Sequence, residues 1–207
     1  MAAFVRFSPE EFIRLTRYVY ALSVRYNVVC HLSPSEQEHA YNQISVNIFK
    51  DTFKRASHVK NSPQFRKLYP DDETFGRAFE FLTMPSRRSS KKIRLLLGEI
   101  EAKLGATSES SRTVLEHVCP YHPNERWQQA FGGGVHEVQD RLGNMVILER
   151  DDLKQAAFAD KRVKYEASGR PLAKKVASYS QWDRTALQEY QAWLAEQAIE
   201  TWRVGFE

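Results

Sequence analysis

Apolar residues recur at helical spacing over most of this chain, and one stretch near the middle breaks the rhythm. Phe12, Leu15, Val19, Leu22 and Tyr26 fall on one helix face. Ser8-Pro9-Glu10-Glu11 precedes them, a hydroxyl cap followed by proline and a glutamate placed to close a capping box. Ser33-Pro34-Ser35-Glu36 repeats that signal before Tyr41, Ile44, Ile48 and Phe53, so two helices joined by a short polar turn form a hairpin. Residues 57–72 are polar, carry Pro63 and Pro70, and predict a loop holding one short helical piece. Asp71 or Asp72 caps a third helix with Phe75, Phe79 and Leu82, which Pro85 ends. Ile93, Leu96, Leu97, Ile100 and Leu104 mark an amphipathic helix that stops near Gly105. Ser180 caps a last helix with Leu187, Tyr190, Leu194, Ala198, Ile199 and Trp202 on one face.

The break lies at Thr113-Val114-Leu115-Glu116-His117-Val118-Cys119-Pro120, an apolar run interrupted by an acid and a histidine and closed by proline. It predicts a short strand, with residues 141–148 as its antiparallel partner, opened at a turn by Gly143 and Asn144. Tyr121 to Asp140 forms the connection, a long loop with Trp127, Phe131 and Gly132-Gly133-Gly134. Asp151 and Asp152 follow the second strand where a helix starts, running past Phe158 and Tyr165. The expected architecture is α+β, mostly helical, with the strand pair embedded in it. The division is a helical subdomain over residues 1–110 and a core with carboxy-terminal helices over residues 111–207.

With 207 residues, 42% of them hydrophobic and 12% aromatic, the chain can bury a real core. Its two cysteines, Cys30 and Cys119, exclude a disulfide framework. No apolar stretch suits a membrane span or a signal sequence, and a cytoplasmic location with reduced thiols is expected. The net charge of +4 says less than its distribution. Arg87, Arg88, Lys91, Lys92 and Arg94 form one cluster and Lys161, Arg162, Lys164, Arg170, Lys174 and Lys175 another, two candidate phosphate-facing surfaces, the first of which is ordinarily a solvated helix start. The second follows the helix after the strand pair, and phosphate neutralisation beside a site gives it the better claim to DNA. The cations expected to face DNA are Arg141, Lys154, Lys161, Arg162, Lys164, Lys174 and Lys175.

A strand pair and a helix that together hold a carboxylate, a histidine and an asparagine have the parts a metal-dependent phosphodiesterase needs. His117 titrates near neutrality and can take a proton from water. Glu116 with an oxygen ligand from the next helix suits Mg²⁺ or Mn²⁺. In a regular strand Glu116 and His117 point to opposite faces, so a bulge or the strand's end must bring them together. The bland readings are a core histidine, a surface glutamate and a turn asparagine. Zinc held by Cys119, His117, His122 and His136 matches no standard spacing.

Glu116-His117-Val118-Cys119-Pro120, Trp127, Gly143-Asn144-Met145-Val146-Ile147-Leu148, Phe158, Lys161, Trp182 and Trp202 together resemble the His-Me finger (HNH) nuclease domain at the carboxy-terminal end of GmrSD-type modification-dependent restriction enzymes. The resemblance extends over nearly the whole chain. It implies a ββα-metal core and a DNA endonuclease or nickase, with His117 as general base, Glu116 as a metal ligand and Asn144 supporting the histidine. It also implies modified phage DNA as target and a ParB-like nucleotide-hydrolysing sensor, in the same chain or another, as partner. The family places a further asparagine on the following helix as last ligand. This chain has Leu153 there, and the segment before Phe158 is shorter by about one helical turn. Asp151, Asp152 and Gln155 are the available replacements, with Asp152 favoured. The competing expectations are a DNA-binding or regulatory module that lost its metal ligand, and a helical partner-docking domain.

Overall fold

The computed structural model of the chain describes residues 2–106, 113–149 and 153–206. They are mostly helical, with one two-stranded sheet, and divide into two compact units. Met1–Ala78 with Trp202–Glu207 form the first and Phe79–Thr201 the second, so the compact units part at 78/79. The physical reason is the apolar face of Ser86–Lys103 (α7). Ile93, Leu96, Leu97 and Ile100 are buried on it, and the helix packs against the strand Met145–Glu149 and the helix Arg184–Thr201, both of the second unit.

In the first unit, Ala2–Arg6 (α1) precedes Pro9–Ser23 (α2), whose Ser8 cap accepts from the Glu11 N–H at 3.4 Å. A wider π-helical turn, Val24–Val29, carries α2 through Tyr26 as its apolar stripe predicts. That turn places Arg25 fully inside. Its guanidinium donates to the Trp202 carbonyl at 2.9 Å and the Pro70 carbonyl at 3.1 Å, and pairs with Asp72 at 2.7 Å. Pro34–Phe49 (α3) completes the expected hairpin.

Residues 57–72 differ from expectation, forming two short helices, Ala56–Lys60 (α4) and Pro63–Leu68 (α5). Ser62 accounts for the second: its hydroxyl donates to the Val59 carbonyl at 2.7 Å and accepts from the Phe65 N–H at 3.3 Å, with Pro63 opening the helix. Each helix is too short to display a period. Asp71 caps Asp72–Glu80 (α6), accepting from the Thr74 N–H at 2.7 Å. Leu82 is buried beyond that helix's end.

In the second unit, α7 takes in the whole basic stretch from Ser86. Thr113–His117 (β1) and Met145–Glu149 (β2) pair antiparallel, from Thr113 opposite Glu149 to His117 opposite Met145. Leu142–Asn144 is a 3-10 turn, so the second strand starts later than the sequence suggests. The long connection holds a helix, Glu125–Ala130 (α8), capped by Asn124 and anchored by buried Trp127. After β2, helix Phe158–Ala167 (α9) starts well beyond Asp151. Pro171–Ala177 (α10) packs on α9, and Arg184–Thr201 (α11) follows. Asp183, rather than Ser180, caps α11 by accepting from the Ala186 N–H at 2.9 Å. No helix among the described residues is long and apolar enough to cross a membrane.

The buried Gln191 of α11 ties the entrance of this unit to the turn before β2. Its Nε2 donates to the carbonyls of Phe79 and Leu82 at 2.9 and 3.0 Å, while its Oε1 accepts from the Gly143 N–H at 3.1 Å and from Arg141 Nε at 2.9 Å. A Cβ at Gly143 would lie 2.7 Å from the Gln191 Cβ and 3.2 Å from the Leu187 carbonyl. Gly143→Ala is therefore expected to lower stability by about 1–3 kcal/mol through overpacking, read as a lower urea midpoint at unchanged slope.

Candidate active site

His117 is the last residue of β1, and the chain beyond it is held by one side chain. The Val118 N–H donates to the Asn144 carbonyl at 2.9 Å, extending the ladder by one bond. There the Asn144 carboxamide takes over. Its Oδ1 accepts from the Cys119 N–H at 2.8 Å, and its Nδ2 donates to the Cys119 carbonyl at 2.9 Å and the Gln139 carbonyl at 3.4 Å. Gln139 in turn donates to the Tyr121 carbonyl at 2.7 Å. Asn144 is fully buried, so these bonds replace water that it cannot reach. The asparagine thereby sets where the strand end, and His117 with it, sits.

The His117 ring lies edge-on to Tyr121 at 5.9 Å between centroids. Its Nε2 is buried and has no hydrogen-bond partner among the described residues. Burial pushes the imidazole below its ordinary value; the Asp140 carboxylate opposes that shift and the Lys161 ammonium adds to it. The ring is consequently neutral at pH 7, with a nitrogen available to accept a proton. Asp140, which no motif marks, presents a second such atom: its Oδ1 is buried without a partner among the described residues, and its backbone carbonyl accepts from the Met84 N–H at 2.7 Å.

Glu116 makes the other half of the strand end, and its carboxylate is engaged. Lys161 of α9 pairs with it at 2.6 Å, donates to the His117 carbonyl at 2.9 Å and lies 5.8 Å from the centre of the Trp127 ring. The Lys161 side chain is 0% exposed and that of Glu116 15%. Burial pushes the lysine down and Glu116 pulls it back up. Lys161, expected at a DNA surface, is thus an internal cation, because Glu116 and Trp127 draw its stem across the end of β1.

No group of three or more His, Cys, Asp or Glu among the described residues could hold an ion. Asp151 and Asp152 lie outside the described residues. Gln155, the other replacement considered, donates to the His122 carbonyl and accepts from the Asn124 N–H at 3.2 Å, which ties it to the start of α8. Burial pushes the Cys119 thiol up to about 12, leaving it protonated and poorly suited to zinc.

The expected DNA contacts divide. Arg141 braces its own unit, donating to Gln191 and to the Glu80 carbonyl and lying 5.5 Å from the Phe81 ring centre. Lys154, Arg162, Lys164 and Lys174 are exposed, and Lys175 is half-buried, its ammonium 5.5 and 5.3 Å from the ring centres of Tyr179 and Trp193. Sequence reading passed over Asp140 and gave Lys161 an external role. For Asp140 the available signal was an acid directly ahead of the Arg141 turn.

Fold and site together define a mostly helical α+β domain in which a two-stranded sheet presents a neutral histidine at a strand end, held by a buried asparagine. The chain belongs to the family of GmrSD restriction endonuclease C-terminal domains, whose model matches residues 69–197. No curated protein matches it. Membership points to a nuclease module of a restriction endonuclease, with DNA as its substrate.

Glu116→Gln would leave the fully buried Lys161 ammonium without its counter-charge. It is expected to cost about 3 kcal/mol in urea unfolding at pH 7, and Glu116→Gln combined with Lys161→Met to recover most of that loss.

Proposed function

We propose that the chain is a divalent-metal-dependent DNA endonuclease or nickase with an HNH-type ββα-metal core, from about Thr113 to about Ser168, and with His117 as general base. The observation that supports it best is the buried, unpartnered Nε2 of a neutral His117 at a strand end fixed by Asn144. In this reading Nε2 takes a proton from water, the water oxygen bonds to phosphorus, and a P–O bond of the backbone breaks. Asn144 keeps the base in place and does not touch the reacting atoms. Mg²⁺ or Mn²⁺ would neutralise charge on the transition state and the leaving oxygen, with Glu116 and Asp152 or Asp151 as its ligands. Lys161 holds Glu116 Oε1, so the ion would be met by Oε2 or would displace the ammonium. The wider setting is a cytoplasmic, modification-dependent system against phage DNA, with recognition supplied by a ParB-like nucleotide-hydrolysing sensor.

The same ion pair favours a second reading, a DNA-binding or regulatory module of the same fold with weakened catalysis, since Lys161 sits where a cation would meet Glu116.

Supercoiled plasmid incubated with the protein and Mg²⁺ or Mn²⁺ separates the two. Nicking or linearisation is expected, and His117→Ala is expected to slow it by about 10²–10⁴-fold while leaving folding intact. Equal rates for wild type and variant would remove His117 from the chemistry, and salt-dependent DNA retention without cutting would establish the second reading. Because the imidazole is held below its ordinary value of 6.5, it protonates only at lower pH. The acid limb of kcat/KM should therefore lie below that value, with full activity retained through neutrality.

A further inference from the structure

We infer that the basic first turns of α7, led by Arg87, are the surface that grips the DNA backbone beside His117. This rests on the nuclease reading and adds to it the face that carries the substrate. Both basic clusters are candidate phosphate-facing surfaces in the sequence, where the one on α9 and α10 has the better claim; the Tyr121 contact shifts the preference to α7.

The Arg87 guanidinium lies 5.4 Å from the centre of the Tyr121 ring, and that ring stands edge-on to His117 at 5.9 Å. An exposed cation is thus held one aromatic ring away from the His117 ring, within the span of neighbouring phosphates on a nucleic-acid backbone. Arg88, Lys91 and Lys92 continue outward along α7, all exposed. Among the described residues none of these four side chains makes an ion pair, and no acid occurs between Ser86 and Arg94. Arg94, one turn further, is committed to Thr113 at 3.2 Å, which fixes the helix to the first residue of β1. The N-terminus of α7 adds to the positive field, since Pro85 offers no side-chain cap and no acid stands in the first turn.

Of the rival cations, Lys161 is paired with Glu116, Arg141 with Gln191 and the Glu80 carbonyl, Arg170 with Glu101, and Lys175 lies by two aromatic rings, while Arg162, Lys164 and Lys174 are exposed and form the alternative grip. A run of exposed cations without ion-pair partners among the described residues, linked to His117 through the Tyr121 ring, fits the phosphates of a nucleic-acid backbone. Contacts from these cations to phosphate oxygens position the duplex and carry no sequence information, which makes the grip on the backbone independent of sequence.

The test uses the full chain and a fluorescent DNA duplex of arbitrary sequence, in chelator so that nothing is cut, with anisotropy read across a salt series. One variant combines Arg87→Ala, Arg88→Ala, Lys91→Ala and Lys92→Ala; the other combines Arg162→Ala, Lys164→Ala, Lys174→Ala and Lys175→Ala. The first should bind about tenfold or more weakly near 0.1 M salt, with the slope of log affinity against log salt reduced by about 3, and the second should stay near wild type. Urea midpoints equal to wild type confirm that both are folded. If the α7 variant keeps its affinity and slope, or the α9–α10 variant loses more, the proposal is overturned. Where wild type still nicks plasmid in that event, the nuclease reading survives alone; if wild type neither binds nor cuts DNA, both fall.

Discussion

One buried carboxamide holds the strand end in register. Asn144 is satisfied on its acceptor and its donor by the same residue, Cys119, and so imitates a strand neighbour just where the sheet stops. A two-stranded sheet is marginal in water by itself. Here β2 is buried through Leu148, with α7 and α10 packed on it, whereas every residue of β1 is only half-buried. The inner strand therefore supplies rigidity and the outer strand supplies access. Polar groups at the half-buried end of β1 are tolerated because the opposite strand carries the apolar load.

The charge at the other side of that end follows a different logic. A lysine with no exposed surface survives inside a protein when a carboxylate and further acceptors meet it, and Lys161 has both in Glu116 and the His117 carbonyl. Burial holds the neighbouring imidazole below its ordinary value, and the Lys161 ammonium adds to that shift. One cation thus joins α9 to β1, satisfies the backbone carbonyl of the catalytic candidate and biases its protonation. Whatever moves Lys161 alters all three together.

Legibility in the sequence followed the range of the interactions involved. The long helices announce themselves through period and caps, as at Ser8 and Asp71, because both signals act within a few residues. The strand pair and the Glu116-His117 and Gly143-Asn144 positions were legible for the same reason. The short helices α4, α5 and α8 were not, since one or two turns give no periodicity, and their stabilising contacts come from buried residues such as Phe65 and Trp127. Lys161 misled because a lysine among other cations reads as surface, while its partner Glu116 stands 45 residues away in sequence. Asp140 lies in a loop whose meaning depends on what folds beside it, and α7's basic turns acquired a role only once Tyr121 linked Arg87 to His117.

The Arg25 cluster of the first unit makes its chain discontinuous. That guanidinium closes on the carbonyl of Trp202, 177 residues later, while Lys60 donates to the Gly205 carbonyl and Phe206 packs on Tyr69. The second unit is contiguous and can assemble from its own segment as that segment leaves the ribosome. The first unit is closed by residues 202–206, so its last contacts carry the loop-closure entropy of the whole second unit's chain, and Arg25 stays unmatched at the Trp202 carbonyl until that loop is closed.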